Sequence, residues 1–235
     1  MRQARNSAAF WAATGEARGH DVVSRRAFLA VVGDERSGTR VLIQEPGLEA
    51  EEVAEINDLA VRAVGPVDVE DPYSSTDLSQ LGLRSWQMPV MVRPPGPAAQ
   101  PPTEVRRVRS EGDLYAAEQI VIGSFELTTF EPHRPAELFP ASLIDHPGID
   151  VFLAIADGRA AGACVVVAAD GLGSHYWVGT PAVFRSRGIG RAVMLASINY
   201  LHHLPLTLTA SKLGRPLYES LGYTVAGTST WYSSR

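Results

Sequence analysis

Apolar positions in the second half of the chain change period several times, and each change predicts an element. Glu104-Val105-Arg106-Arg107-Val108-Arg109 alternates as a short strand does. Ser110, with Asp113 three residues later, reads as a helix start. Leu114, Ala117, Val121 and Phe125 then recur at helical spacing, and Pro135 predicts a second, shorter helix through Ala136-Glu137-Leu138-Phe139. Three apolar runs follow, Val151 to Ala156, Ala161 to Ala168 and Ser174 to Thr180. Asp157-Gly158 and Asp170-Gly171 separate them, which predicts an antiparallel meander joined by tight turns. A helical pattern from Ile189 to Leu201, a strand Leu206 to Thr209, a short helix Leu213 to Leu221 and a strand Tyr223 to Tyr232 complete the order β-α-α-β-β-β-α-β-α-β.

The first half gives a fainter version of the same order. Thr39 to Glu45 reads as a strand, Glu49 to Ala63 as a helix, Val67 to Glu70 as a strand and Trp86 to Val92 as another, with Leu81-Gly82-Leu83 before the last. Aligning Leu81-Gly82 with Leu221-Gly222 sets Leu78 opposite Tyr218. Between the halves, Pro94-Pro95-Gly96-Pro97-Ala98-Ala99-Gln100-Pro101-Pro102 holds neither a helix nor a central strand, because proline fixes φ and removes donors. The expected organisation is therefore an accessory or degenerate copy over residues 1–93, a linker over 94–102 and a main domain over 103–235.

The chemistry concentrates at Arg185-Ser186-Arg187-Gly188-Ile189-Gly190-Arg191, where the third meander strand gives way to a helix. A glycine-rich turn at a helix N-terminus exposes backbone N–H groups to an anion, and the helix dipole adds positive potential. The three arginines add side-chain charge, and the pattern suits a pyrophosphate. A P-loop would carry Lys-Ser/Thr after its last glycine, where this chain has Arg191-Ala192. A dinucleotide fingerprint needs a small residue at Val193 and an acid about 20 residues on, where Leu208-Thr209-Ala210 stands. In the first half the corresponding helix start offers Glu49, Glu51 and Glu52, carboxylates that would repel a pyrophosphate. That half is expected to bind no such ligand and to help shape the acceptor side.

Strand, Arg-x-x-Gly-x-Gly at Arg185 to Gly190, then helix resembles the acyl-CoA-binding motif of the GNAT superfamily of N-acetyltransferases. The segment Leu217-Tyr218-Glu219-Ser220-Leu221-Gly222-Tyr223 is similar to that family's Leu-Tyr-x-x-x-Gly-Phe. With the element order, the resemblance covers residues 103–232. It implies an α/β fold with a mixed α+β sheet and acetyl-CoA as co-substrate. Arg185, Ser186, Arg187, Gly188, Ile189, Gly190 and Arg191 would bind the cofactor's phosphates. Val178, Gly179 and Thr180 would pair with its pantetheine arm, and a backbone N–H there would polarise the thioester. Pro181 sits one position earlier than the family's proline. Tyr218 falls where many members carry the acid that protonates the departing thiolate, and a tyrosine of ordinary pKa, about 10, holds its proton at neutral pH. Glu126 and His175 are the candidates for removing the amine's proton.

The resemblance implies direct N-acetyl transfer to a primary amine, a small molecule or a peptide, in a ternary complex; no activated nucleophile suggests an acetyl-enzyme. A non-catalytic acyl-CoA-binding regulatory module is the alternative. The net charge of -5 argues against nucleic acid as a partner. The absence of a long apolar run argues against a membrane span, so a cytoplasmic location is expected. Cys164, the single cysteine, lies in an apolar run and reads as a buried core residue. No spacing suggests a metal site, and oligomeric state stays open.

Overall fold

The computed structural model describes residues 2–234. In chain order the elements are α1 (Arg2–Ala17), β1 (Asp21–Ser24), β2 (Phe28–Val32), β3 (Thr39–Ile43), α2 (Ala50–Arg62), β4 (Val67–Asp71) and β5 (Arg84–Arg93). They continue as β6 (Val105–Arg107), α3 (Glu111–Ser124), β7 (Ile149–Ala156), β8 (Arg159–Ala169), β9 (Leu172–Gly179), α4 (Ile189–Tyr200), β10 (Leu206–Thr209), α5 (Arg215–Ser220) and β11 (Thr224–Ser233). This is the mixed α/β architecture that the residue pattern implies. Among the described residues no helix is long and apolar enough to cross a membrane.

The chain forms two compact units. The first comprises residues 1–91, 209–215 and 225–235; the second comprises 92–208 and 216–224. The C-terminal end of β11 thus folds with the N-terminal half, pairing antiparallel with β4 from Thr230↔Asp71 to Ser233↔Asp68. Pairing between strands far apart in sequence leaves no mark on local periodicity, so the division by sequence alone assigned the whole of 103–235 to one domain.

In the first unit β1, β2 and β3 form an antiparallel meander, and α2 carries the chain over to β4, which runs parallel to β3. Phe28, Val41, Ile43, Ile56, Val69, Leu78 and Tyr232 share its core. Fully burying such an aliphatic side chain contributes about 1.5–3 kcal/mol. The sequence reading missed α1, β1 and β2. With them the element order of this half, α-β-β-β-α-β-turn-β, parallels α3 to β11 of the other.

The second unit orders its strands β10-β9-β8-β7-β6, antiparallel except where β10 runs beside β9. Helices cover both faces. A Cβ added to Gly162 would lie 2.6 Å from Ile189 of α4, and one added to Gly179 would lie 3.1 Å from Ser124 of α3. Ala163 and Gly179 are register partners and share a face, so Gly162, one residue away, looks to the other. Ser110 caps α3 as expected, its hydroxyl accepting from Asp113 N at 3.2 Å.

Two local expectations give way. No helix forms over 136–139; Ala136 has φ 63, and single 3-10 turns stand at Thr128–Phe130 and Ala141–Ile144. The cause is Glu118, wholly buried on α3, whose carboxylate accepts from the N–H groups of Ala136, Leu138 and Phe139. The proline-rich run 94–102 forms no helix or strand but is strapped down within the second unit. Arg93 donates to the carbonyls of Leu221, Pro94, Gly96 and Pro97, and Asn199 grips Ala98 and Ala99.

Candidate active site

Every sequence-derived site residue lies in the second unit. β9 approaches the site through a β-bulge: Val165 pairs with Tyr176 and Ala163 with Gly179, so Trp177 and Val178 oppose Cys164 alone. Trp177 takes φ 52, a rare conformation for a bulky residue that tertiary packing must hold. On its other side β9 matches β10 only at Gly173 and Ser174. Beyond Ser174 that edge has no register partner on β10. Val178 and Gly179 end this strand and Thr180 follows it.

After Thr180 the chain makes a single 3-10 turn at Ala182–Phe184, passes through Arg185 and Ser186 (φ 58), and enters α4 from Gly188. Gly188 has φ 78, a left-handed conformation that glycine adopts without strain. Ala192 N donates to Gly188 O as the first intrahelical bond, so the N–H groups of Ile189, Gly190 and Arg191 have no helical acceptor. No side chain caps the helix and no acid occupies its first turn. Gly190 faces Thr180 and α5: a Cβ added there would lie 3.4 Å from Thr180 Oγ1 and 3.5 Å from Leu217 Cδ2.

The three arginines surround this turn in different ways. Arg185 Nε donates to Thr180 O at 3.2 Å, and Arg191 donates to Ser220 Oγ at 2.8 Å, linking α4 to α5. Arg187 pairs with Asp157 at 2.7 Å, an exposed bridge from the β7–β8 turn that the sequence reading took only as turn chemistry. Its hydrogen bond and charge hold the Asp157 carboxyl below the usual range.

Tyr218, on α5, is buried, and its hydroxyl makes no hydrogen bond among the described residues. Burial, and after it the neighbouring Cys164, pushes its pKa well above that of free tyrosine, which keeps the phenol protonated at neutral pH. Cys164 is fully enclosed and its thiol is pushed up to about 12 by burial, so it is no nucleophile.

His175 is turned into the core. Ser197 Oγ donates to Met194 O at 3.0 Å and so accepts from His175 Nε2–H at 2.9 Å. Nδ1 is then left to accept from Tyr223 OH at 3.2 Å. Burial first, then the Arg93 charge, lowers the imidazole to about 3. Both nitrogens are occupied and the ring is neutral, which fits a structural network rather than a base facing an incoming amine. Glu126, by contrast, is exposed beside the end of α3 with φ 52, next to Phe125, whose ring meets Trp177 edge-on at 5.0 Å. Neither the bulge nor this aromatic contact was visible in the sequence, because both follow from packing of α3 on β9.

No family model matches the chain, and no curated protein matches it. Solved structures do. A GCN5-related N-acetyltransferase from Kribbella flavida is 20% identical with a TM-score of 0.64, over 98% of this chain and 94% of that one. A putative acetyltransferase of the GNAT family from Novosphingobium aromaticivorans is 15% identical with a TM-score of 0.62, over 90% and 89%. A functionally unknown conserved protein from Staphylococcus epidermidis is 11% identical with a TM-score of 0.61, over 91% and 93%. The chain has the GNAT fold, the architecture the sequence resemblance implied.

Proposed function

We propose that this protein is an N-acetyltransferase that moves an acetyl group directly from acetyl-CoA to a primary amine, of a small molecule or a peptide, in the cytoplasm. The observation that carries the reading is the start of α4, where three N–H groups without a helical acceptor or side-chain cap, two glycines and three arginines meet the end of a bulged strand that matches β10 at two residues. An anionic ligand with an extended arm fits both features together. Bound acetyl-CoA supplies the activated acetyl group.

The chain's own residues do the rest. Ile189, Gly190 and Arg191 N–H, with Arg185, Ser186, Arg187 and Gly188 around them, hold the pyrophosphate. Val178, Gly179 and Thr180 pair with the pantetheine arm, and a backbone N–H there stabilises negative charge at the thioester oxygen. Tyr218 donates its proton to the departing thiolate, a role its raised pKa permits at neutral pH. In the balanced reaction the amine nitrogen gains the acetyl group and loses a proton, while the sulfur gains one. His175 takes no part in this account. The test is to incubate the protein with acetyl-CoA and a panel of diamines, amino acids and short peptides and to follow free thiol. Amine-dependent thiol release that Tyr218→Phe slows supports the reading, and release that no amine accelerates counts against it.

A further inference from the structure

The opposite end of α4 closes a different cavity. The helix has 12 residues and so spans about 18 Å, and Tyr200 at its C-terminus lines a cleft of 470 Å³ together with Arg107, Arg109, His146, Asp150 and His203. This cleft shares no residue with the phosphate-binding turn. At its floor Arg107 Nε donates to the buried Asp150 Oδ1 at 2.5 Å, and the same guanidinium lies 5.0 Å from the centre of the Tyr200 ring. Asp150 is thereby matched to Arg107.

The remaining cleft nitrogens have long contacts or none. Arg109 reaches only Ile144 O at 3.4 Å and Asp150 Oδ1 at 3.7 Å, contacts too long to satisfy a guanidinium. His146 Nδ1 is enclosed with no hydrogen-bond partner, which in a native interior calls for an explanation. His203 makes no hydrogen bond from its ring among the described residues. The one other acid, Asp145, is exposed at the rim and unpaired among the described residues. The carbonyls at the end of α4 are used internally: Ser197 O takes Leu201 N, Asn199 O takes His202 Nδ1 and Leu201 O takes Leu204 N. The negative end of the helix is therefore largely quenched before it meets the cleft.

We infer that this cleft is a second anion site, binding a small oxyanion such as a phosphate or a carboxylate through Arg109 and His203 beside the His146 ring, with Arg107 held in place by Asp150. Two guanidinium groups that share the one buried carboxylate of Asp150, two imidazoles and a water-accessible volume form a donor-rich surface that an oxyanion satisfies. The site stands on this geometry alone and does not depend on acetyl transfer.

The probe is inorganic phosphate, titrated into the full chain carrying isotope-labelled histidine, with sodium chloride holding ionic strength constant. The ring signals of His146 and His203 should move saturably with one shared Kd. Arg109→Gln, at a half-exposed position, should weaken that Kd at least tenfold, and His203→Gln at least threefold. Arg187→Ala, at the other end of α4, should leave it within twofold. The inference is overturned if chloride alone moves the signals equally, if both cleft variants bind phosphate as the wild type does, or if Arg187→Ala abolishes the response.

Discussion

Helices α2 and α4 occupy corresponding places in the two halves, each following the third strand of a meander, yet they begin in opposite chemical settings. α2 carries Glu51 and Glu52 in its first turn; Glu52 accepts from Glu49 N at 2.9 Å and pairs with Arg26 at 2.6 Å. Its N-terminus is closed by its own carboxylates. α4 starts at a left-handed glycine with no cap and no acid, so its amides stay open. The preceding strands differ likewise. β3 pairs with its parallel neighbour at four consecutive residues, Thr39 to Leu42, whereas β9 carries a bulge and matches β10 at two. Repeating an element order does not repeat the proposed binding site; such a site needs uncapped backbone, and side-chain caps remove it.

The resemblance of the halves is nonetheless close in places. Leu81 N donates to Leu78 O at 3.0 Å and Gly82 N to Ser79 O at 3.1 Å, while Leu221 N donates to Tyr218 O at 3.0 Å and Gly222 N to Glu219 O at 3.1 Å. Gly82 and Gly222 both take positive φ, 65 and 85. The same backbone turn carries a core leucine in one half and a buried phenol in the other.

That substitution marks the largest expected effect. Tyr218→Phe keeps the packing and removes the proposed proton donor, so kcat should fall by about 10²–10⁴-fold with acetyl-CoA affinity unchanged; steady-state rates beside calorimetry separate the two. Arg191→Glu would make the start of α4 resemble that of α2. It removes one cation and adds a carboxylate among the open amides, and acetyl-CoA affinity should drop by at least about tenfold. Thermal stability should change little, since an acid in a first turn adds about 0.3–1 kcal/mol while loss of the Arg191–Ser220 hydrogen bond removes about as much.

His175 sharpens the contrast through pH. Its folded pKa of about 3 lies below the ordinary 6.5, so the unfolded chain binds the extra proton and stability is lost as pH falls from about 6.5 toward 3. Denaturant midpoints of wild type and His175→Gln should therefore converge as the pH drops, by up to about 1.4 kcal/mol per pH unit within that window. The smallest effect is expected in the first half: Glu52→Ala should cost about 1 kcal/mol by removing a cap, and acetyl-CoA titration should show no change in affinity.

Much of this was legible in the residues. The three meander runs, their Asp-Gly turns and the Arg185–Arg191 turn rest on local chemistry, and the structure places them as the periodicity indicates. The helix expected at 136–139 failed because its amides are claimed by Glu118, eighteen or more residues away, and no local pattern encodes that. Trp177 gave no sign of a bulge, since bulges that do not use glycine have no marker in one sequence. The last strand joined the first unit through pairing with β4, again a long-range choice. His175 looked like a candidate base because its strand was read correctly and its inward orientation was not.

The most direct measurement is calorimetric titration of the purified protein with acetyl-CoA, with ATP and NADH as competitors and an Arg187→Ala, Gly188→Ala double variant as control. The account predicts saturable binding of one acetyl-CoA per chain, selective over ATP and NADH and weakened at least about tenfold in the variant. No binding, a preference for ATP or NADH, or a variant that binds as well as the wild type would contradict it.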